Sequence, residues 1–357
     1  MGTIAITTRR DFLNGGATAA LGLVAGSATA GAGAGADGAV RFLAFADIHY
    51  ATSGLWPHAE RKWLDRVLNR AVSSKVDFVM SLGDFTFGPV SKEERDYVSY
   101  YNNFKPVKTY HTYGNHDYQF VAPDVLDELY GLKSGWYSFD LGGFRFVVLD
   151  PHYIFKDGKY SRFHSRCSYP ELAKQGVPTF VIPPEQMEWL RKTVVGSPLP
   201  CVVFSHESIE RGRSGIYNRA EVRAIFAEAN AQRPGTVRLA INGHEHKDHF
   251  RMLDGVAYLD LNSASYDIGA THNAYPEDFL PKRKNSKYGI ITWNDPISAV
   301  VTLTPSGGLK IEGMESTYCF GVSPETVGWG CDVDGRATSA KVQSVDINVN
   351  YARAEVK

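Results

Sequence analysis

At 357 residues the chain is long enough for one large α/β domain with appendages. Lysines and arginines number 38 against 39 aspartates and glutamates, a formal net charge of -1, so the composition offers no basic track for nucleic acid and argues against a nuclease. The 4 cysteines fit neither a zinc ribbon nor a disulfide-dense scaffold, although Cys319 and Cys331 flank a Gly/Pro-rich loop and could pair in an oxidising compartment.

The N-terminus reads as an export signal. Thr8-Arg9-Arg10-Asp11-Phe12-Leu13 resembles the twin-arginine consensus, and an Ala/Gly/Leu stretch follows to a small-residue cleavage site at Ala28-Thr29-Ala30. This predicts a signal peptide over 1–30, a flexible linker over 31–37, recognition by the twin-arginine export machinery, and a periplasmic or secreted protein. The leader is too glycine-rich for a stable membrane anchor, and no later run approaches about 18 apolar residues.

A strand is expected over 39–48, an amphipathic helix over 58–74, and a strand over 76–82. A helix near 91–104, a strand over 107–113 and a short helix near 123–130 follow. Trp136–Leu141 and Phe144–Leu149 read as a hairpin about Gly142-Gly143. Residues 151–183 read as a long irregular insertion. Beyond it come a helix over 184–194, opened by Pro183-Pro184, a strand over 201–205, a helix over 218–230 and a strand over 237–241. The stretch 249–314 is mostly strands, and 316–357 is set apart as a C-terminal extension of weak strand character. Alternating helices and strands followed by hairpins imply two mixed sheets face to face with helices outside, a four-layer α/β/β/α sandwich.

Five short blocks stand at the ends of these strands: Asp47-Ile48-His49, Gly83-Asp84, Gly114-Asn115-His116-Asp117, His206, and Gly243-His244-Glu245-His246. Carboxylate, amide oxygen and imidazole together suit divalent ions, and a shared carboxylate would extend the set to two. Ligands at the carboxyl ends of buried strands converge in one crevice. Any one block arises freely by chance; five in this order form a specific signal. His111, His152 and His249 match no ligand position, nor do His58, His164 and His272.

The pattern D-x-H, G-D, G-N-H-D, H, G-H-x-H resembles the calcineurin-like metallophosphoesterase superfamily over about residues 38–315. Its D-x-H opening is similar to the cyclic-nucleotide phosphodiesterase and Mn-dependent nucleotide diphosphatase branches. Purple acid phosphatases lack that block's histidine. Protein Ser/Thr phosphatases carry G-D-x-x-D-R-G where this chain reads Gly83-Asp84-Phe85-Thr86-Phe87-Gly88. The resemblance implies two divalent ions per chain, Mn, Fe or Zn. Asp47, His49, Asp84 and His246 would hold the first, and Asp84, Asn115, His206 and His244 the second. A hydroxide between the ions would attack phosphorus, and His116 would act as general acid, with Asp117 expected to orient it. A non-catalytic metal-binding scaffold is the rival from another class, and a broad phosphomonoesterase the rival within this one.

The substrate expected is a small phosphorylated molecule, nucleotide-like in view of the insertion. There Tyr153, Arg162 and Arg166 mix rings with phosphate-pairing cations, while Arg211 and Arg213 offer a rival phosphate clamp.

Overall fold

The computed structural model describes residues 38–51, 61–163, 169–270, 274–276, 279, 289–332 and 334–349. The expected leader and linker, Arg166, Cys167 and the histidines at 58, 164 and 272 lie outside the described residues. The first elements follow the predicted order: β1 (Val40–Phe45), α1 (Arg61–Ser73), β2 (Phe78–Leu82), α2 (Lys92–Asn102), β3 (Lys108–Thr112) and α3 (Pro123–Tyr130). Ser91 accepts from the Glu94 amide while the Glu94 carboxylate takes the Ser91 amide, a capping box that starts α2. Pro123 occupies the first turn of α3, where no amide donor is needed.

Next come β4 (Tyr137–Leu141), β5 (Phe144–Val148), β6 (Tyr153–Lys156), β7 (Lys159–Arg162), α4 (Tyr169–Lys174), α5 (Pro184–Val195), β8 (Cys201–Ser205), α6 (Arg219–Gln232) and β9 (Val237–Asn242). The last are β10 (His249–Leu253), β11 (Val256–Asp260), β12 (Tyr266–Ala270), β13 (Gly289–Thr292), β14 (Ala299–Leu303), β15 (Gly308–Glu312), β16 (Met314–Glu315), β17 (Lys341–Val342) and β18 (Val345–Asn348).

Two six-stranded sheets carry the fold, in the orders β18-β15-β14-β1-β2-β3 and β10-β11-β9-β8-β5-β4. Each is mixed. β1, β2 and β3 run parallel, as do β5, β8, β9 and β11, whereas β14 and β4 pair antiparallel with β1 and β5. The sheets face each other through four phenylalanines. Phe42 and Phe78 of the first sheet stack at 4.9 Å, and Phe146 and Phe204 of the second meet them edge-on at 4.8–5.8 Å. Such ring packing adds to burial that already stabilises each ring by about 1.5–3 kcal/mol. β1 buries residues on both its faces because α1 covers its far side with Trp63, Leu64, Val67 and Leu68. Helices α5 and α6 cover the second sheet around Leu190, Val194, Ile225 and Phe226. The four-layer sandwich expected from the pattern is the architecture observed.

Two segments differ from the sequence reading. The insertion 151–183 holds the hairpin β6–β7 and the helix α4. Asp157 and Gly158 both take positive φ (52° and 76°), the conformation a tight two-residue turn demands, and this Asp-Gly signal was overlooked. In the segment set apart at 316–357, β18 pairs with β15 and extends the first sheet, and β17 pairs with β16. Cys319 and Cys331 are both free thiols.

Candidate metal and catalytic centre

The five blocks meet where the carboxyl ends of β1, β2, β3, β8 and β9 point into one crevice between the sheets. The backbone there is held in an uncommon conformation: Asp47, His49, Asp84, His244 and His246 all have φ between 48° and 69°. Left-handed non-glycine residues cost energy and persist only where their surroundings over-determine them. Here the loops pin one another, the Asp47 amide donating to Gly83 O at 3.1 Å and the His49 amide to Asp84 O at 2.9 Å. Gly114 and Gly243 permit the close approach. A Cβ on Gly114 would fall 2.2 Å from Asp84 Oδ1, and one on Gly243 would fall 2.7 Å from Asp47 Oδ2.

Asp84 lies at the centre. Its Oδ2 is 3.3 Å from both His49 Nε2 and His206 Nε2, and 3.9 Å from His116 Nε2. His49 Nδ1 donates to Asp47 O at 2.9 Å and His206 Nδ1 to Leu82 O at 2.7 Å, which leaves each Nε2 lone pair facing the crevice. His246 Nε2 lies 3.3 Å from Asp47 Oδ1, and His244 Nδ1 lies 3.2 Å from His206 Nε2. The potential ligand atoms form overlapping groups, Asp47/His49/His246, His49/Asp84/His116 and Asp84/His206/His244. Asn115 stands beside them, its Oδ1 buried and without a hydrogen-bond partner among the described residues. Among the described residues His246 Nδ1 is likewise buried without a hydrogen-bond partner, and buried Asp47 Oδ1 has the ring nitrogen of His246 near it.

Buried polar atoms ordinarily find partners, so this many idle acceptors in one place fits cations as the missing partners. The electrostatics divides the set. Burial would raise the Asp84 carboxyl, but the His206 and His116 imidazoles hold it well below its ordinary range. Burial pushes His49 down to about 4 and, with His206 beside it, His244 down to about 4, both neutral and able to ligate. Asp84 holds His206, and Asp47 holds His246, above the ordinary imidazole value despite burial, so these two would release a proton as an ion bound.

His116 is an accessible member, its side chain 26% exposed, and its amide donates to Asp84 Oδ1 at 2.7 Å. Asp117 does not orient its ring. The Asp117 carboxylate turns the other way and accepts from the Gly114, Phe85 and Thr86 amides and from the Tyr130 hydroxyl. It clamps two ligand loops together. Burial and the neighbouring Asp84 push it up to about 6.

The expected substrate residues are not gathered at the crevice. Tyr153 is buried against Trp136, and Arg162 pairs with Asp127 at 2.6 Å and donates to the Tyr118 hydroxyl. Arg211 is buried among Glu245, Asp332 and Asp334 instead of facing open space. Arg213 is exposed on a neighbouring cavity beside His249 and Arg251. Arg162 and Arg211 are engaged because sequence shows a cation but not the carboxylates that the fold brings to it.

Sequence reasoning also missed three features. His152 sits fully buried between Asp150, at 2.8 Å, and Glu207, at 3.0 Å, in the layer behind His206; despite burial the two carboxylates hold it up at about 9. The signal was the Glu207 beside His206, an acid within a buried run. Tyr266 packs its ring on His49 and His246 at 5.0 and 4.9 Å. Glu245, the variable residue of the last block, faces the crevice with Asp332 and Trp329 from the C-terminal segment.

Residues 40–248 match the calcineurin-like phosphoesterase family. No curated protein matches the chain in sequence. Among solved structures, the chain is similar to a dimetal phosphatase from Danio rerio at 16% identity and a TM-score of 0.56, covering 87% of this chain and 98% of that one. It also aligns with GAP50, the anchor in the inner membrane complex of Plasmodium, at 14% identity and a TM-score of 0.48, covering 87% and 89% of the two chains. A third alignment, to the purple acid phosphatase PPD1 of yellow lupin, has 14% identity, a TM-score of 0.46, and covers 88% of this chain and 54% of that one. At such identities the zebrafish likeness speaks for the fold and the family match for descent. With the ordered blocks, the sandwich and the converging ligand atoms, the chain belongs to the calcineurin-like phosphoesterase family.

Proposed function

We propose that this chain is an exported, dinuclear-metal phosphoesterase that hydrolyses phosphodiester, diphosphate or phosphomonoester bonds of a small substrate. The observation that carries the reading is Asp84 Oδ2, placed at 3.3 Å from two imidazole nitrogens that belong to two different ligand groups. Asp47, His49, Asp84 and His246 would hold one ion, and Asp84, Asn115, His206 and His244 the other. When bound, the ions would supply Lewis-acid polarisation of the phosphoryl group and neutralise charge on the attacking and leaving oxygens. Oxygen and imidazole donors suit Mn, Fe and Zn alike.

The side chains do the rest. His49 and His206 are locked in one tautomer by backbone carbonyls, so their orientation does not have to be found during turnover. Asp117 keeps the Gly114 and Phe85 loops in register. His116, which with His244 is one of the two partly exposed imidazoles of the cluster, would give its proton to the leaving oxygen. A nucleotide as substrate rested on the rings and cations of the insertion; Tyr153 and Arg162 are engaged in internal packing and Arg166 lies outside the described residues, so the proposal is for the phosphoester class. Export rests on Arg9-Arg10 and the stretch after them.

One experiment separates enzyme from scaffold. Purified protein loaded with Mn, Fe or Zn is assayed for ion content and for turnover of aryl phosphate mono- and diesters. Wild type should hold two ions and turn over. Asp84→Ala should hold neither, and His116→Ala should hold both and lose about 100- to 10,000-fold in rate, most for poor leaving groups. Two bound ions with no turnover of any phosphoester would establish the scaffold instead.

A further inference from the structure

The crevice continues past the ligand cluster into a cavity of about 250 Å³. His116, His244 and His246 form its floor, and Glu245, Asp332 and Trp329 form one wall. Its volume lies below the roughly 300–1,000 Å³ of sites for drug-sized ligands, so it suits a small group attached to the phosphate.

The wall is acidic and stiff. Glu245 Oε2 accepts from Arg211 Nη1 at 2.5 Å and from Arg336 Nη2 at 3.2 Å. Asp332 accepts from Arg336 Nε at 3.0 Å and from the amides of Asp334 and Arg336. The two guanidiniums are outnumbered, because Asp260 and Asp334 also pair with them, giving four carboxylates to two cations. The arginines thus shape the wall without making it a phosphate clamp. Meanwhile Glu245 Oε1, buried in this wall, has no hydrogen-bond partner among the described residues. It is an acceptor next to the catalytic floor, held in place by ion pairs on its other oxygen. Trp329 closes the same wall, its indole fixed by donation from Nε1 to Thr338 Oγ1 at 3.0 Å.

Resting on the phosphoesterase reading, we propose that this cavity receives the leaving group and that Glu245, backed by Asp332 and Trp329, selects a small alcohol bearing hydrogen-bond donors and no further negative charge. A hydroxyl or ammonium head donates to Glu245 Oε1, and the adjoining methylenes or cation lie on the indole face. A leaving group ending in carboxylate or phosphate meets an excess of negative charge, because the two guanidiniums are already paired and the Lys247 ammonium that also lines the cavity is held by Asp267.

The test compares substrates of like size with different heads: phosphoethanolamine, glycerol 3-phosphate and 3-phosphoglycerate, each as the monoester and as its methyl diester. For metal-loaded wild type, kcat/KM for the amine and the polyol should exceed that for the carboxylate on the order of 100-fold. Glu245→Gln should compress that ratio below about 10, chiefly through KM, with ion content retained. Calorimetry supplies a readout independent of turnover: 2-aminoethylphosphonate should bind wild type more tightly than 3-phosphonopropionate, and Glu245→Gln should narrow the gap. The ratio between amine and polyol tells whether charge or hydroxyl donation dominates, and either ordering supports the proposal. Turnover with no discrimination, or with preference for the carboxylate, overturns this inference and leaves the phosphoesterase reading standing. Failure of every ester to turn over with both ions bound overturns both.

Discussion

At the residue scale the centre depends on a few atoms that are idle in the folded protein and on others that are not. His111 shows the difference. It lies four residues before Asn115, yet its Nε2–H donates to Asn102 Oδ1 at 2.5 Å and its ring is wedged among Phe85, Tyr101 and Tyr130. Burial alone pushes this imidazole down to about 3. It therefore stays neutral in the fold while the unfolded chain takes up a proton near its ordinary 6.5. The stability it contributes is complete above pH 6.5 and is lost as pH falls from there toward 3. Between those values one proton should cost up to about 1.4 kcal/mol per pH unit. Urea unfolding of the loaded protein at pH 7.5, 6 and 5 should show a pH slope that His111→Gln flattens by about one proton. An unchanged slope would mean that the ring is solvated or already charged. The histidine's core role agrees with its lack of a match to any ligand position, whereas the role expected for Asp117 was wrong, since a carboxylate beside a histidine in sequence can turn to the opposite side in space.

At the scale of elements, the strands that end in ligands were legible because strands buried on both faces are near-continuous apolar runs, as in Val40–Phe45 and Cys201–Ser205. The C-terminal segment was less legible, because its strands β17 and β18 are short and half-exposed and its link to the candidate site is paired charge rather than periodicity. Arg336 links it to the rest of the molecule, reaching Asp260 at 2.7 Å, Asp332 at 3.0 Å and Glu245 at 3.2 Å with its side chain 8% exposed. Removing one partner of a buried network leaves unpaired charge, so Arg336→Ala should destabilise the protein by about 3–5 kcal/mol in chemical denaturation. A loss below about 1 kcal/mol would reduce the contact to a surface ion pair. The hairpin β6–β7 illustrates another limit. Its strands are only four residues long and β7 is exposed and largely polar, so the Asp157-Gly158 turn was its clearest signal.

For the whole molecule, the proposed export by the twin-arginine route, which carries folded proteins, fits a centre whose candidate ligands, drawn from the ends of β1, β2, β3, β8 and β9, meet only after folding. Replacing Arg9 and Arg10 together with lysine should leave uncleaved, folded protein inside the cell. Fractionation followed by mass analysis of the N-terminus reads the outcome, and undiminished accumulation outside the cytoplasm would show that the pair is not the export determinant.

The identity and order of the five ligand blocks, the strand before each, and the sandwich they imply could all be read from the amino acids, because backbone periodicity and side-chain chemistry are local properties. Orientation and partnership were not local. Whether Arg162 and Arg211 were free for phosphate depended on Asp127, Glu245 and Asp334, residues 35, 34 and 123 positions away in the chain. Whether the pocket beside the ions would be basic or acidic depended on the C-terminal segment folding back to place Asp332 and Trp329 opposite Tyr266. Charge in a sequence is a count, but charge at a site is a sum over neighbours, and only the packed chain brings those neighbours together.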